Sequence, residues 1–236
     1  MGDSLEAAIV SFTTGLLFVS VIALFRKDVR SGFRQIFSAV NLKLLPSWRL
    51  GAGALGASFV AMQTYAVPIA GVALFTVASL AGQTGISLWV DHVGLAGGSR
   101  VIITKRRVIA AIITILAVVV STWDRFTISN FSLLTIVLAV FSGTWVGVQR
   151  ALNGQINSYS KASFATSLLN FITGTTFLLF LLLLRTLFTD HSVMNFTSGP
   201  WWMFLGGSIG VIYIALSAHI VQYVGVLEFT LFSVGG

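Results

Sequence analysis

Polar and charged residues in this chain are confined to short stretches, and between them lie apolar runs long enough to reach across a bilayer. A helix needs about 20 predominantly apolar residues to span the hydrocarbon core. Eight runs meet or approach that length, at 7–25, 50–66, 70–90, 108–123, 131–148, 163–184, 201–220 and 224–236, the last too short to cross. None alternates with the period of two expected of a barrel strand. Backbone groups in lipid must be satisfied within their own segment, so the pattern predicts an all-α, polytopic membrane protein. The segment 29–44 has a different rhythm. Val29, Phe33, Ile36, Phe37, Val40 and Leu44 recur at helical spacing with Arg30, Arg34 and Lys43 between them. That is the pattern of an amphipathic helix anchored along the headgroup interface.

The apolar runs also repeat. Trp48, Gly53 and Gly56 align with Trp202, Gly207 and Gly210 at an offset of 154, and the register continues through Gly71-Val72 on Gly225-Val226 and Phe75-Thr76 on Phe229-Thr230. Upstream the offset is 159, placing Phe12 and Thr14-Gly15 on Phe171 and Thr173-Gly174. Two copies are expected, a first repeat at 1–126 and a second at 127–236. The first lacks a counterpart of the 131–148 run, and the second stops one residue before the equivalent of Gln83. Restoring both missing helices gives a ten-helix parent of five-helix units. Five is odd, so the second copy must enter the membrane from the opposite side: the repeat is inverted.

Composition agrees with the pattern. Mean hydropathy is +0.94, and only 9% of residues are charged, against roughly 25% in soluble domains. There are no cysteines, which excludes disulfides and thiolate metal sites. Asp3 and Glu6 stand where a secretory signal would carry positive charge. Alternating the faces puts the loops 26–49, 91–107 and 149–162 on one side. These hold all Lys and Arg residues except Arg125 and Arg185. By the positive-inside rule that face is cytoplasmic, so the net charge of +7 reports orientation in the lipid bilayer and not nucleic-acid binding.

Ionisable groups within apolar runs are the candidates for chemistry. Glu228 stands mid-run opposite Leu74 of the other copy, where a carboxylate with a raised pKa could carry a proton; a hydrogen-bonding role at a helix contact is equally open. His219 reads first as an interhelical hydrogen-bonding residue and second as a proton relay. Gln83, Ser87 and Asp91 are spaced at four and share one helical face. Gln149 and Asn153, with Asn157 in line, read as helix packing ahead of a substrate contact, and Asn170 and Gln63 are weaker cavity-lining candidates. Trp89, Trp145, Tyr65 and Tyr213 are candidates for an apolar pocket wall or an interfacial belt.

Gly206-x-Ser208-x-Gly210 matches a nucleophile elbow formally, but it lies in the middle of an apolar run, and His219 is about 16 Å away along the same helix. The small residues Gly206 and Gly210, Ala52 and Gly56, and Gly143 and Gly147 instead predict close helix seams. No H-E-x-x-H and no P-loop is present. No enzymatic activity, metal site or cofactor is expected.

The stretch Gly147-Val148-Gln149-Arg150-Ala151-Leu152-Asn153, then Leu169-Asn170-Phe171-Ile172-Thr173-Gly174, then Pro200-Trp201-Trp202 with Gly206, Gly207 and Gly210, resembles the YdcZ-type family of the drug/metabolite transporter superfamily. Gly82-Gln83, Ser87, Asp91-His92 and Gly94-Leu95 add to the likeness. The resemblance implies a tandem-fused inner-membrane exporter of small molecules and supplies no established binding residue. Expected is a secondary transporter working by alternating access, with proton coupling through Glu228 as an option. The alternatives are a non-transporting membrane subunit and an inactive fragment.

Overall fold

The computed structural model describes residues 4–98, 100–121, 123, 133–188 and 201–235. Arg125, Pro200 and the expected boundary at 126/127 lie outside the described residues. The described elements are helices: α1 (Ser4–Phe25), α2 (Lys27–Asn41), α3 (Ala52–Ala70), α4 (Val72–His92), α5 (Lys105–Ser121), α6 (Leu133–Ser160), α7 (Ser163–Phe188), α8 (Leu205–Val224) and α9 (Val226–Gly235). Each predicted apolar run has its helix, and α2 is the predicted amphipathic one. Its buried face is Val29, Gly32, Ile36 and Ala39, at spacings of three and four. Arg30 on α2 donates to the Ala23 carbonyl at 2.9 Å, satisfying an otherwise open carbonyl at the end of α1.

Six helices among the described residues are long and apolar enough to cross a membrane. The others are the amphipathic α2, α5 with 17 residues and α9 with 10. One expectation needs correction. The run at 131–148 was expected to end in a loop over 149–162, but α6 continues as helix to Ser160, about 42 Å for its 28 residues. Gln149, Arg150, Asn153 and Asn157 are therefore buried helical residues. Hydropathy ended the run early because it scores a side chain against lipid, whereas these side chains face protein.

The repeat is visible as paired contacts. Phe12 and Phe171 stack at 5.2 Å between ring centroids. A Cβ on Gly15 would overlap the Phe171 ring, and one on Gly174 would overlap the Phe12 ring. Pairing 12 with 174 and 15 with 171 keeps the sum constant, which requires α1 and α7 to run antiparallel. The next layer matches it. A Cβ on Gly53 would overlap the Asn170 carbonyl and the Thr173 hydroxyl, and one on Gly207 would overlap the Ser11 carbonyl and the Thr14 hydroxyl. Ser11 and Thr14 are the repeat mates of Asn170 and Thr173, so α3 packs on α7 as α8 packs on α1. An internal two-fold relates the two halves, and Phe12, Ala57, Phe171, Leu178 and Val211 form the core around it.

The helix junctions repeat as well. One glycine joins α3 to α4 and one joins α8 to α9: Gly71 at φ 81, ψ 156 and Gly225 at φ 89, ψ 166. Side chains are essentially excluded from this region of backbone space. Gly71 N–H donates to Val67 at 2.8 Å and Gly225 N–H to the mate Val221 at 2.9 Å.

The predicted seams are present with one shift of phase. Gly143 and Gly147 press on Ser79 and Ile86, which brings α6 against α4 at backbone distance. On α8 and α3, however, the tight residues are Gly207, Gly53 and Gly56, whereas Gly206 has only the Ser11 hydroxyl within 4 Å.

Candidate functional site: an acid–arginine clasp, an amide chain and a caged arginine

Asp91 ends the buried face of α4 and is 3% exposed. Its Oδ1 accepts the Val226 N–H at 2.7 Å, and its Oδ2 accepts the Leu227 N–H at 3.0 Å. Those N–H groups open α9, so Asp91 caps a helix from another part of the fold, at the end where the helix dipole is positive. The Gly225 turn makes the cap possible, since a Cβ there would stand 2.9 Å from Asp91 Oδ2.

Arg107, in the first turn of α5, completes the cluster. Its Nη2 donates to Asp91 Oδ2 at 2.6 Å and to Glu228 Oε2 at 2.8 Å, and its Nε donates to Glu228 Oε1 at 3.0 Å. The contact with Glu228 is bidentate, the strong geometry for a guanidinium and a carboxylate. Glu228 was expected in the middle of a membrane run. The structure puts it in the first turn of α9, with its side chain 36% exposed. In the sequence Arg107 reads as a loop charge, and its pairing across 121 positions leaves no mark in local spacing.

Gln83 and Ser87, also on α4, are buried against α6, and Ser87 donates to the Gln83 carbonyl at 2.5 Å. They share a face with Asp91 but no side-chain hydrogen bond joins either to the clasp among the described residues. Deeper in the bundle, Gln149 Nε2 donates to Asn170 Oδ1 at 3.2 Å, and Asn170 Nδ2 donates to Asn153 Oδ1 at 2.8 Å. Thr166 continues the chain by donating to Asn157 at 3.3 Å. This line of buried amides ties α6 to α7, and Gly56 leaves the space that the Gln149 amide fills.

His219 stands apart from these groups. It is exposed, its ring is edge-on to Tyr223 at 5.3 Å, and it lines a cavity of about 400 Å³ with Arg26, Asp28, Lys161 and Phe164. Gln63, Tyr65 and Trp89 are exposed. At the surface, the hydrogen bond from Arg26 holds the Asp28 carboxyl below the usual carboxylate range.

Sequence reasoning missed Arg150 as a site residue. It lies ten residues before the end of α6, about 15 Å along the helix, and is 8% exposed. Its Nη1 donates to the Thr230 hydroxyl at 2.8 Å and its Nη2 to the Tyr213 hydroxyl at 2.6 Å. The guanidinium faces the rings of Tyr213 at 5.8 Å and Phe229 at 5.4 Å. Its Nε has no partner. Among the described residues the ion pairs are Arg26 with Asp28 and Arg107 with Asp91 and Glu228, so no carboxylate neutralises Arg150. A charged side chain at the centre of a membrane helix costs roughly 2.5–3.5 kcal/mol on insertion scales, and hydroxyls with two aromatic faces offset part of that.

The family model described as "Putative inner membrane exporter, YdcZ", of the DMT class, matches residues 1–120 and 134–236. The chain belongs to the YdcZ family. It is a multi-pass inner-membrane protein of an exporter family, a class that is not enzymatic. No curated protein and no solved structure matches the chain.

Within this YdcZ chain the stretches that carried the likeness meet in space. Gln149 and Asn153 reach Asn170, and Gly174 lies under Phe12. Arg150, between Gln149 and Asn153, points to the other side of α6, toward α8 and α9. The residues of α9 divide in the same way: Glu228 reaches Arg107, while Phe229 and Thr230 reach Arg150.

Proposed function

We propose that this chain exports a small molecule by alternating access, the two repeats 1–126 and 127–236 rocking about their internal two-fold, with the substrate route between them near the midplane. The observation that carries the reading is the clasp. It joins α4 and α5 of the first repeat to α9 of the second, on the basic, cytoplasmic side. Opening the route to the cytoplasm separates Asp91 and Arg107 from α9. Glu228 is the coupling group: its protonation removes the charge that holds Arg107 and loosens α9. The reciprocal contacts between the halves, and the fall of the family match into two stretches, support two units that move as bodies.

The test is efflux from proteoliposomes that hold the purified chain and a panel of labelled organic anions, cations and neutral solutes, with and without a proton gradient. Movement of at least one compound, with gradient dependence lost in Glu228→Gln, supports export and the coupling role. Unchanged coupling in that variant removes Glu228 from the mechanism.

A second reading, a non-transporting membrane subunit, has its own support. The buried amides Gln149, Asn153 and Asn170 are spent on helix–helix bonds, as a purely structural bundle requires. Failure of every compound in the panel to move favours it.

A further inference from the structure

We infer that Arg150 is an anion-binding residue and that the solute it receives is an apolar organic monocarboxylate; the solute assignment rests on the exporter reading, the binding site does not. An arginine remains protonated in any protein environment, so this site carries a full positive charge inside the bundle. Among the described acids, Asp28 is held by Arg26, Asp91 and Glu228 are held by Arg107, and Glu6 lies in the first turn of α1. The groups that do touch Arg150 are neutral hydroxyls and ring faces, which stabilise a cation without neutralising it.

The geometry names the kind of anion. Arg107 receives Glu228 on its Nε and Nη2 edge. On Arg150 the same edge has Nε unpartnered and Nη2 occupied by the Tyr213 phenol. Removing that phenol leaves the two parallel N–H groups that match one carboxylate. Tyr213 is 42% exposed, so it forms the outer layer of the cage and is the group that can leave. One carboxylate balances one guanidinium, whereas a doubly charged phosphate would bring an unbalanced negative charge into a low-dielectric site. The Tyr213 and Phe229 rings suit an aryl or branched alkyl body next to the carboxylate.

The test uses the purified full chain in detergent at constant ionic strength and follows intrinsic fluorescence. Benzoate, phenylacetate and isovalerate are each titrated beside the neutral amide of the same skeleton. At least one carboxylate should bind about thirtyfold or more tightly than its amide. Arg150→Gln should abolish that difference. Arg150→Lys keeps the charge but loses the fork, and should weaken binding. Tyr213→Phe removes the competing hydroxyl, keeps the ring, and should tighten it. The Tyr213 variant keeps the inference testable if the Arg150 variants do not fold.

Equal binding of acids and amides, absence of carboxylate binding, or affinities unchanged by these substitutions would each overturn the inference. Carboxylate binding without efflux of any compound would leave Arg150 as an anion site and sink the export reading. Efflux of cations or neutral solutes without carboxylate binding would sink this inference alone.

Discussion

Two arginines flank α9, Arg107 partly buried and Arg150 buried, and they are held in opposite ways. Arg107 is neutralised by two carboxylates and serves as the centre of a clasp between three helices. Arg150 is surrounded by hydroxyls and aromatic faces and keeps its charge. The first arrangement ties α4, α5 and α9 together. The second leaves a positive charge inside the bundle with no described carboxylate beside it, at a cost in stability that a bound anion would offset under the proposed role. Glu228 and Thr230 are two residues apart, so the two arginines are held on different faces of the same end of α9.

Substituting each arginine with an apolar residue of similar length separates the two roles most strongly. Arg107→Met leaves Asp91 and Glu228 without their cation and should cost about 3 kcal/mol, read as a lower thermal midpoint in detergent. Arg150→Met removes an un-neutralised charge and leaves two hydroxyls that are already bonded or exposed, so its stability should be equal or higher. A loss of similar size for both would break the comparison.

The two glycine hinges sharpen it next. Gly71→Ala introduces backbone strain of about 1–3 kcal/mol, with nothing near its new Cβ. Gly225→Ala adds the same strain and pushes on Asp91 and Glu228. It should be the more destabilising of the two by unfolding midpoint, and it alone should weaken the clasp.

The packing glycines test the two-fold itself. Gly53→Ala and Gly207→Ala place a methyl on equivalent backbone and hydroxyl contacts, and each should cost about 2 kcal/mol from overpacking. Gly51→Ala, with open space around it, is the control. Unequal losses at Gly53 and Gly207 would mean that the halves are not equally packed.

The smallest effect is expected at Asp28. Its pKa is lowered in the folded state, so its contribution is present above the ordinary Asp value of about 3.9 and is lost as pH falls through the lower folded value. The pair is exposed and screened by salt. Asp28→Asn should lower the unfolding midpoint only slightly at neutral pH, less than any destabilising substitution above.

Much of this architecture was legible before any coordinates. Lipid leaves the backbone one economical solution, so apolar length alone located the helices, and α2 followed from its amphipathic rhythm. The two-fold was legible because Gly53 and Gly207, or Gly71 and Gly225, satisfy the same steric demand in each half and keep their register. The seam was displaced by one residue on α8, since a run of small residues does not say which of them touches. Arg150 was read as part of a basic loop because a hydropathy pattern treats every charge as a reason to leave the membrane.

The sequence by itself determined that this protein is a helical membrane bundle whose apolar runs repeat. The helical and duplicated character follows from local chemistry: side-chain polarity, helical spacing and the conformational freedom of glycine. Only the tertiary structure decided that Asp91, Arg107 and Glu228 form one group, that Gln149 and Asn153 both bond Asn170, and that no described carboxylate stands beside Arg150. Those facts depend on which helices face each other, and partners as far apart as 136 positions are joined by packing and not by spacing.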